Sequence, residues 1–255
     1  MSSIGKSSFG NTILGKETFK ARMSPKSVTT KCAEGERIYK GKKLKVVDTP
    51  GFFDTNCSKD ENENEIAKSY QNLAPGPHAF LIVLDIKRFT EQEWQAAQMV
   101  TKIFKPGAVD YGLIIFTGSD KLIADETTIE EYLADLDSND PLNLLLDQYG
   151  RRFMTVNNKG TDMEKECALE ALLLQIENIL AKKDGRYYST PELEAVAVEI
   201  ATLKATDEFH PVGNDGLIIL YPGPKKIVAG FLRRNVGKSS VKRETADFNL
   251  RPSGS

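Results

Sequence analysis

Cysteine and histidine are scarce in this chain, and their scarcity removes several kinds of chemistry at once. Three cysteines (Cys32, Cys57 and Cys167) stand far apart in 255 residues, too few and too widely spaced for a disulfide framework or a zinc site. Two distant histidines, His78 and His210, argue against a histidine metal centre and a Ser-His-Asp arrangement. No window approaches the ~20 consecutive apolar residues that a membrane helix needs, and the first residues carry no positive-then-apolar leader pattern. Excess charge of one sign is missing too. The net charge is −2 and the pI about 5.9, which gives no electrostatic case for nucleic acid or an anionic membrane. These absences lead us to expect a protein of a reduced, cytoplasmic compartment, with one large core or one domain plus an appendage.

What is present is a series of apolar runs that end in polar signatures. Lys45-Val46-Val47-Asp48-Thr49-Pro50-Gly51 reads as a buried strand that stops at Asp-Thr-Pro-Gly. An ionised Asp48 can hold a Mg²⁺ water there, and Gly51 can bring its N–H to a γ-phosphate. The same four residues also make an ordinary turn after a strand. Near the start, Gly5-Lys6-Ser7-Ser8 is the second half of a phosphate-binding loop. Gly5 allows close backbone approach, Lys6 reaches the β- and γ-phosphates, Ser7 binds Mg²⁺, and the following helix N-terminus adds its dipole. The first Gly of the full pattern would fall before Met1, so a flexible polar terminus is the competing reading.

The rest of the chain alternates in the same way. Gly15 is a plausible C-cap for a first helix that includes Asn11. Ser27-Val28-Thr29-Thr30 lies in a polar stretch, either a switch threonine that closes over Mg²⁺ and γ-phosphate or a plain turn. Arg37 to Val47 predicts a hairpin turning at Lys40-Gly41-Lys42-Lys43. Ala79 to Asp85 is a strand buried on both faces. Thr90-Glu91-Gln92-Glu93 is a capping box, opening a helix with Trp94, Ala97, Val100 and Phe104 on one stripe. Tyr111 to Phe116 is another buried strand, ending in Thr117-Gly118-Ser119-Asp120. Asp120 can accept from the N1–H and N2–H₂ edge of guanine, a pair of donors that adenine lacks; a capping or turn aspartate is the alternative. Arg152 to Val156 is a strand leading into Asn157-Asn158-Lys159-Gly160, where an asparagine can meet a base or make a turn. Helices are expected over Thr128 to Leu136, Leu142 to Tyr149, Asp162 to Lys182, and from Thr190 to about Lys204.

With these residues in view, the chain resembles the GIMAP/IAN family of immunity-associated nucleotide-binding GTPases. The resemblance runs from Gly5 to about Tyr188. It rests on Gly5 to Gly15, Ser27-Val28-Thr29, Val47 to Gly51, Phe116-Thr117 to Asp120 and Asn157-Asn158-Lys159. Its most distinctive part is Pro75-Gly76-Pro77-His78-Ala79-Phe80-Leu81 through Arg88-Phe89-Thr90. It implies a P-loop α/β G domain with a mostly parallel central sheet flanked by helices. It also implies GTP/GDP and Mg²⁺ as ligands, slow hydrolysis, and a homodimer or homo-oligomer formed through the nucleotide face. Carried over by position, Lys6 and Thr29 serve catalysis. Gly5, Lys6, Ser7, Ser8, Gly51, Asp120, Asn157 and Asn158 hold nucleotide, and Ser7, Thr29 and Asp48 serve the metal. A Gln after Gly51 would orient the attacking water; this chain has Phe52, consistent with slow turnover.

The family's first strand and first phosphate-loop Gly have no counterpart before Met1, which suggests a truncated N-terminus and, as an alternative function, a nucleotide-free structural module. The expected organisation is a G domain over 1–188, a helical extension over 189–211, and a degenerate strand and loop over 212–255. That tail is read as the start of a second, truncated family copy, in a bolder version with Lys226 to Gly230 docked into the first-strand position, or else as an irregular, partly disordered tail.

Overall fold

A computed structural model describes residues 4–20, 33–48, 71–87, 89–206 and 216–219. Helix α1 (Ile4–Leu14) already contains Gly5-Lys6-Ser7-Ser8 in its first turns. It stops at Gly15, whose φ of 64° suits a residue without a Cβ. Strands β1 (Ala33–Tyr39) and β2 (Lys42–Asp48) form the expected antiparallel hairpin, with Ala33 opposite Asp48 and Tyr39 opposite Lys42. The two turn residues, Lys40 and Gly41, both have positive φ (47° and 78°), the requirement of the turn type that matches strand twist.

On its other side β2 pairs in parallel with β6 (Gly216–Ile219), Leu44 facing Leu217 and Val46 facing Ile219. The strand beside Val46 thus contains Ile219, so Ile227 does not take that particular place. Leu217-Ile218-Ile219 offers an unbroken apolar run, whereas the segment expected to dock begins with Lys226. Lys226 to Gly230 lie outside the described residues.

A second set of strands, β3 (Phe80–Asp85), β4 (Gly112–Thr117) and β5 (Phe153–Val156), is parallel throughout. Helix α2 (Glu91–Phe104) follows β3 and carries the expected box: Thr90 caps it and Glu93 returns the bond. After β4 come the short helices α3 (Ser119–Ala124) and α4 (Ile129–Ala134), then α5 (Pro141–Gln148). The long α6 (Asp162–Ala181) and α7 (Pro191–Thr206) complete the helices described.

The core has two halves, one on each face of the strands. Phe9, Ile13 and Leu14 of α1, with Leu169, Leu172 and Ile176 of α6, pack on Leu44, Val46, Leu113 and Ile115. That single cluster therefore ties β2 to β4. On the other face Ala97, Phe104, Leu145, Leu193 and Val196 cover Phe80, Ile82, Leu84, Ile114 and Phe116. Successive β3 and β4 side chains go to opposite clusters, so these strands read as continuous apolar runs. Each side chain fully buried here adds about 1.5–3 kcal/mol of transfer free energy. The arrangement is the expected α/β architecture, with mostly parallel strands between helices; among the described residues the strands form two three-stranded sheets, β1-β2-β6 and β3-β4-β5.

The Pro75–His78 segment has a visible structural job. The Tyr188 N–H donates to the Pro77 carbonyl (3.0 Å) and the Ser189 hydroxyl to the Pro75 carbonyl (2.8 Å). The Tyr188 ring meets Phe80 and Tyr111 edge-on, with centroids 5.2 and 5.6 Å apart. This clasp seats the residues leading into α7 on the same core as β3. Across the molecule, Arg37, Lys40 and Lys42 of the hairpin reach Glu166, Glu170 and Glu177 of α6, which fixes the hairpin against that helix.

Candidate functional site

Parallel strands deliver their last residues to one edge, and helix α1 joins the end of β2 to the ends of β4 and β5 through Ser7 and Gly5; those strand ends are the polar signatures. Asp48 closes β2, Asp85 closes β3, Thr117 closes β4, and Asn157 follows β5. Helix α1 brings its N-terminus to the same edge. The buried polar residues described are Ser7, Thr12, Asp48, Thr117 and Thr190, and the first four stand here. Burying polar groups costs free energy unless they find partners, so their concentration at one edge marks a built site.

The central contact joins α1 to β2. The Ser7 hydroxyl donates to Asp48 Oδ2 at 2.6 Å, and both residues are 2% exposed. Lys6 is half-buried beside them. Burial pushes its ammonium pKa down, while the carboxylates of Asp48 and then Glu93 pull it part of the way back. A cation held partly out of water is poised to gain from a polyanion. Gly5 is required by contact: a Cβ there would stand 2.6 Å from Thr117 Oγ1. Ser8, next in the helix, is half-buried, and its carbonyl accepts from the Thr12 hydroxyl (3.2 Å).

The base-side residues are adjacent. Asn158 docks on α1: its amide nitrogen donates to the Gly5 carbonyl (3.3 Å) and its oxygen accepts from the Thr12 hydroxyl (3.1 Å). It therefore fixes the helix that carries Lys6 and Ser7. Asn157 makes a local turn, its Oδ1 accepting from the Lys159 N–H at 3.0 Å. Asp120 lies in the first turn of α3. Its Oδ2 accepts from Lys159 Nζ at 2.8 Å, and its Oδ1 is buried with no hydrogen-bond partner among the described residues. The Lys159 ammonium, by hydrogen bond first, holds the Asp120 carboxyl below the usual range, against a smaller opposing push from burial. Lys121 is committed elsewhere, to Asp85 (2.7 Å) and the Ile86 carbonyl (3.1 Å).

Gly5, Lys6, Ser7, Ser8, Asp48, Asp120, Asn157 and Asn158 thus share one edge. Thr29 and Gly51 lie outside the described residues. Three residues here had no role in the sequence reading. Thr117 braces Gly5 and donates to the Leu84 carbonyl (3.1 Å). Thr12 holds Asn158, and Lys159 holds Asp120. Thr12 sits five positions after Ser7 within one helix, a spacing that gives no hint of a partner 146 residues away. Lys159, next to Asn158, was visible as part of a motif but carried no signal of its partner.

The donor set fits a hard cation: a hydroxyl and a carboxylate, both oxygen ligands, side by side under a helix N-terminus. Among the described residues no cluster of three His, Cys, Asp or Glu is present. A magnesium ion here would draw its remaining ligands from water and phosphate, as that ion commonly does.

Comparison with known proteins places the chain in a family. Immune-associated nucleotide-binding protein 9 of Arabidopsis thaliana is 34% identical over 206 residues, covering 78% of this chain and 60% of that protein. The human GTPase IMAP family member 8 is 29% identical over 185 residues, covering 72% of this chain and 27% of that protein. The chain thus spans less than two thirds of the length of these relatives. A crystal structure of a dimerization-deficient mutant of Toc33 from Arabidopsis thaliana superposes with a TM-score of 0.50 at 18% identity. The match covers 69% of this chain and 80% of that one, a likeness of fold. The model of the AIG1 family matches residues 1–207, and the chain belongs to that family.

Proposed function

We propose that this chain binds GTP and GDP with Mg²⁺ at the strand edge, hydrolyses GTP slowly, and acts as a nucleotide-dependent dimerising switch or scaffold. The observation that carries the reading is the buried Ser7–Asp48 hydrogen bond, with Lys6 next to it and Asp120 at the same edge. The names of the relatives, nucleotide-binding protein and GTPase, support it.

The residues divide the work by their positions. Lys6 places a partly dehydrated ammonium against the β- and γ-phosphate oxygens. The N–H groups at the start of α1 face the same charge with the positive end of the helix dipole. Ser7 and Asp48 would hold Mg²⁺, which when bound neutralises charge developing on the phosphates. Asp120 accepts from the guanine edge, and Asn158 keeps α1 in register with the base side. Thr29 and Gly51 are assigned to closing over the γ-phosphate. Phe52 cannot orient water, so the attack on the γ-phosphate goes without that help and is slow.

A second reading, a nucleotide-free structural module, draws on a different observation. Asn158 already has both ends of its amide bonded to α1, and Ser7, Thr12 and Thr117 have protein partners. Titration with mant-GDP, with and without Mg²⁺, separates the two. Saturable binding that Mg²⁺ strengthens and ADP does not displace supports the switch. No saturable binding leaves the structural module. Light scattering with a non-hydrolysable GTP analogue, against GDP, tests the dimer.

A further inference from the structure

The Asp120 carboxylate presents two unlike oxygens. Oδ2 is bonded to Lys159 at 2.8 Å, whereas Oδ1 is buried and meets no donor among the described residues. The Lys159 side chain is 80% exposed against 32% for Asp120, so the lysine comes in from solvent and covers the carboxylate. Its backbone is steadied by the Asn157 turn, which sets the reach of the side chain across the mouth. Lys121, next to Asp120 in sequence, is tied to Asp85.

We propose that Lys159 is a latch for the base site. It occupies Asp120 Oδ2 while the site is empty and must swing away before a guanine edge can use both carboxylate oxygens. This rests on the reading of Asp120 as the guanine acceptor. Guanine offers two donors, N1–H and N2–H₂, and a carboxylate matches them with two oxygens. With Lys159 in place Oδ2 already accepts from an ammonium, and the base donor that shares this oxygen must approach beside that like-signed group. Exchanging the lysine for the base gives Oδ2 a new donor and gives Oδ1, which has none among the described residues, its first. The lysine is thus a specificity-determining residue: a base without that donor pair cannot replace the bond it breaks.

The latch makes a prediction of unusual sign. Removing a cation near a polyphosphate site ordinarily weakens nucleotide binding. Here Lys159→Met removes the competitor for Asp120. It is expected to tighten mant-GDP about two- to five-fold, the range that an exposed ion pair supports. Lys159→Arg keeps the charge with a better fork for a carboxylate and is expected to leave mant-GDP binding unchanged or weaker. ADP, which cannot use Asp120, should show no gain in Lys159→Met. The side chain is exposed, so both variants are expected to fold, which circular dichroism verifies.

Tighter GDP with unchanged ADP in Lys159→Met supports the latch. Weaker GDP in Lys159→Met overturns it and makes Lys159 a direct nucleotide contact. Unchanged GDP overturns it as well, because the pair then contributes nothing. Failure of the unsubstituted protein to bind any guanine nucleotide overturns the functional reading beneath it, and that result is distinct from the other two.

Discussion

Replacing Ser7 with alanine tests the join between α1 and β2. The Ser7 hydroxyl donates at 2.6 Å to a carboxylate, and both groups are 2% exposed. A hydrogen bond to a charged group contributes about 1.5–3 kcal/mol. Alanine recovers part of this, because it is the better helix former by up to about 0.5 kcal/mol. The net expectation is a loss of about 1–2.5 kcal/mol in urea unfolding without nucleotide. The same change removes one of the two oxygens assigned to magnesium, so the gain in mant-GDP affinity on adding Mg²⁺ should shrink. Ser7→Thr keeps the hydroxyl and should retain more of that Mg²⁺ dependence than alanine does. A loss below about 0.5 kcal/mol, with Mg²⁺ dependence like the unsubstituted protein's, would refute the reasoning at both levels.

Three further expectations follow from other parts of the molecule. Lys6→Met removes an ammonium whose pKa burial has lowered, so the apo protein should become more stable at neutral pH while nucleotide affinity falls. The sign is fixed by linkage: the folded state binds the proton less well than the unfolded chain. In the unsubstituted protein this lysine therefore costs stability as pH drops from its ordinary value toward its lowered one, and chemical denaturation across alkaline pH reads that slope. Gly76→Ala would place a Cβ 1.7 Å from the Tyr188 carbonyl oxygen, and backbone there cannot yield cheaply. We expect a loss of more than about 2 kcal/mol, together with increased proteolysis around 186–190. Ending the chain at residue 206 removes β6 and exposes the edge of β2. A lower thermal midpoint and concentration-dependent association are expected, because an unpaired strand edge recruits other strands.

Local chemistry made much of this fold legible. The hairpin followed from Lys40-Gly41-Lys42-Lys43 between strand-like runs; the structure narrows the turn to Lys40 and Gly41, both with positive φ, while Lys42 and Lys43 already belong to β2. The α2 start followed from Thr90 and Glu93, whose reciprocal bonds depend on a fixed spacing. The double-sided burial of β3 and β4 followed from their unbroken apolar runs. Nonlocal pairing was harder. Nothing in Leu217-Ile218-Ile219 by itself specifies Leu44 to Val46 as its neighbour, since register is set by packing across the whole sheet. At the site, the positions of Asp48, Thr117 and Asn157 at strand ends were readable because each follows an apolar run that stops at polar residues. Their mutual contacts were not: Asn158 turns toward the Gly5 carbonyl and Thr12, and Lys159 reaches Asp120 across 39 residues of sequence. The Pro75–His78 segment was recognisable as a signature, but its clasp on Tyr188 and Ser189 shows only in three dimensions.

The convergence of Lys6, Asp48 and Asp120 on one guanine nucleotide is tested most directly by exchanging the base acceptor. In a competition titration with mant-GDP and Mg²⁺, the unsubstituted protein should prefer GDP over xanthosine diphosphate. Asp120→Asn should reverse that order, because an amide can donate to the xanthine oxygen that a carboxylate repels. A protein whose preference among GDP, xanthosine diphosphate and ADP is unmoved by that substitution would contradict the account.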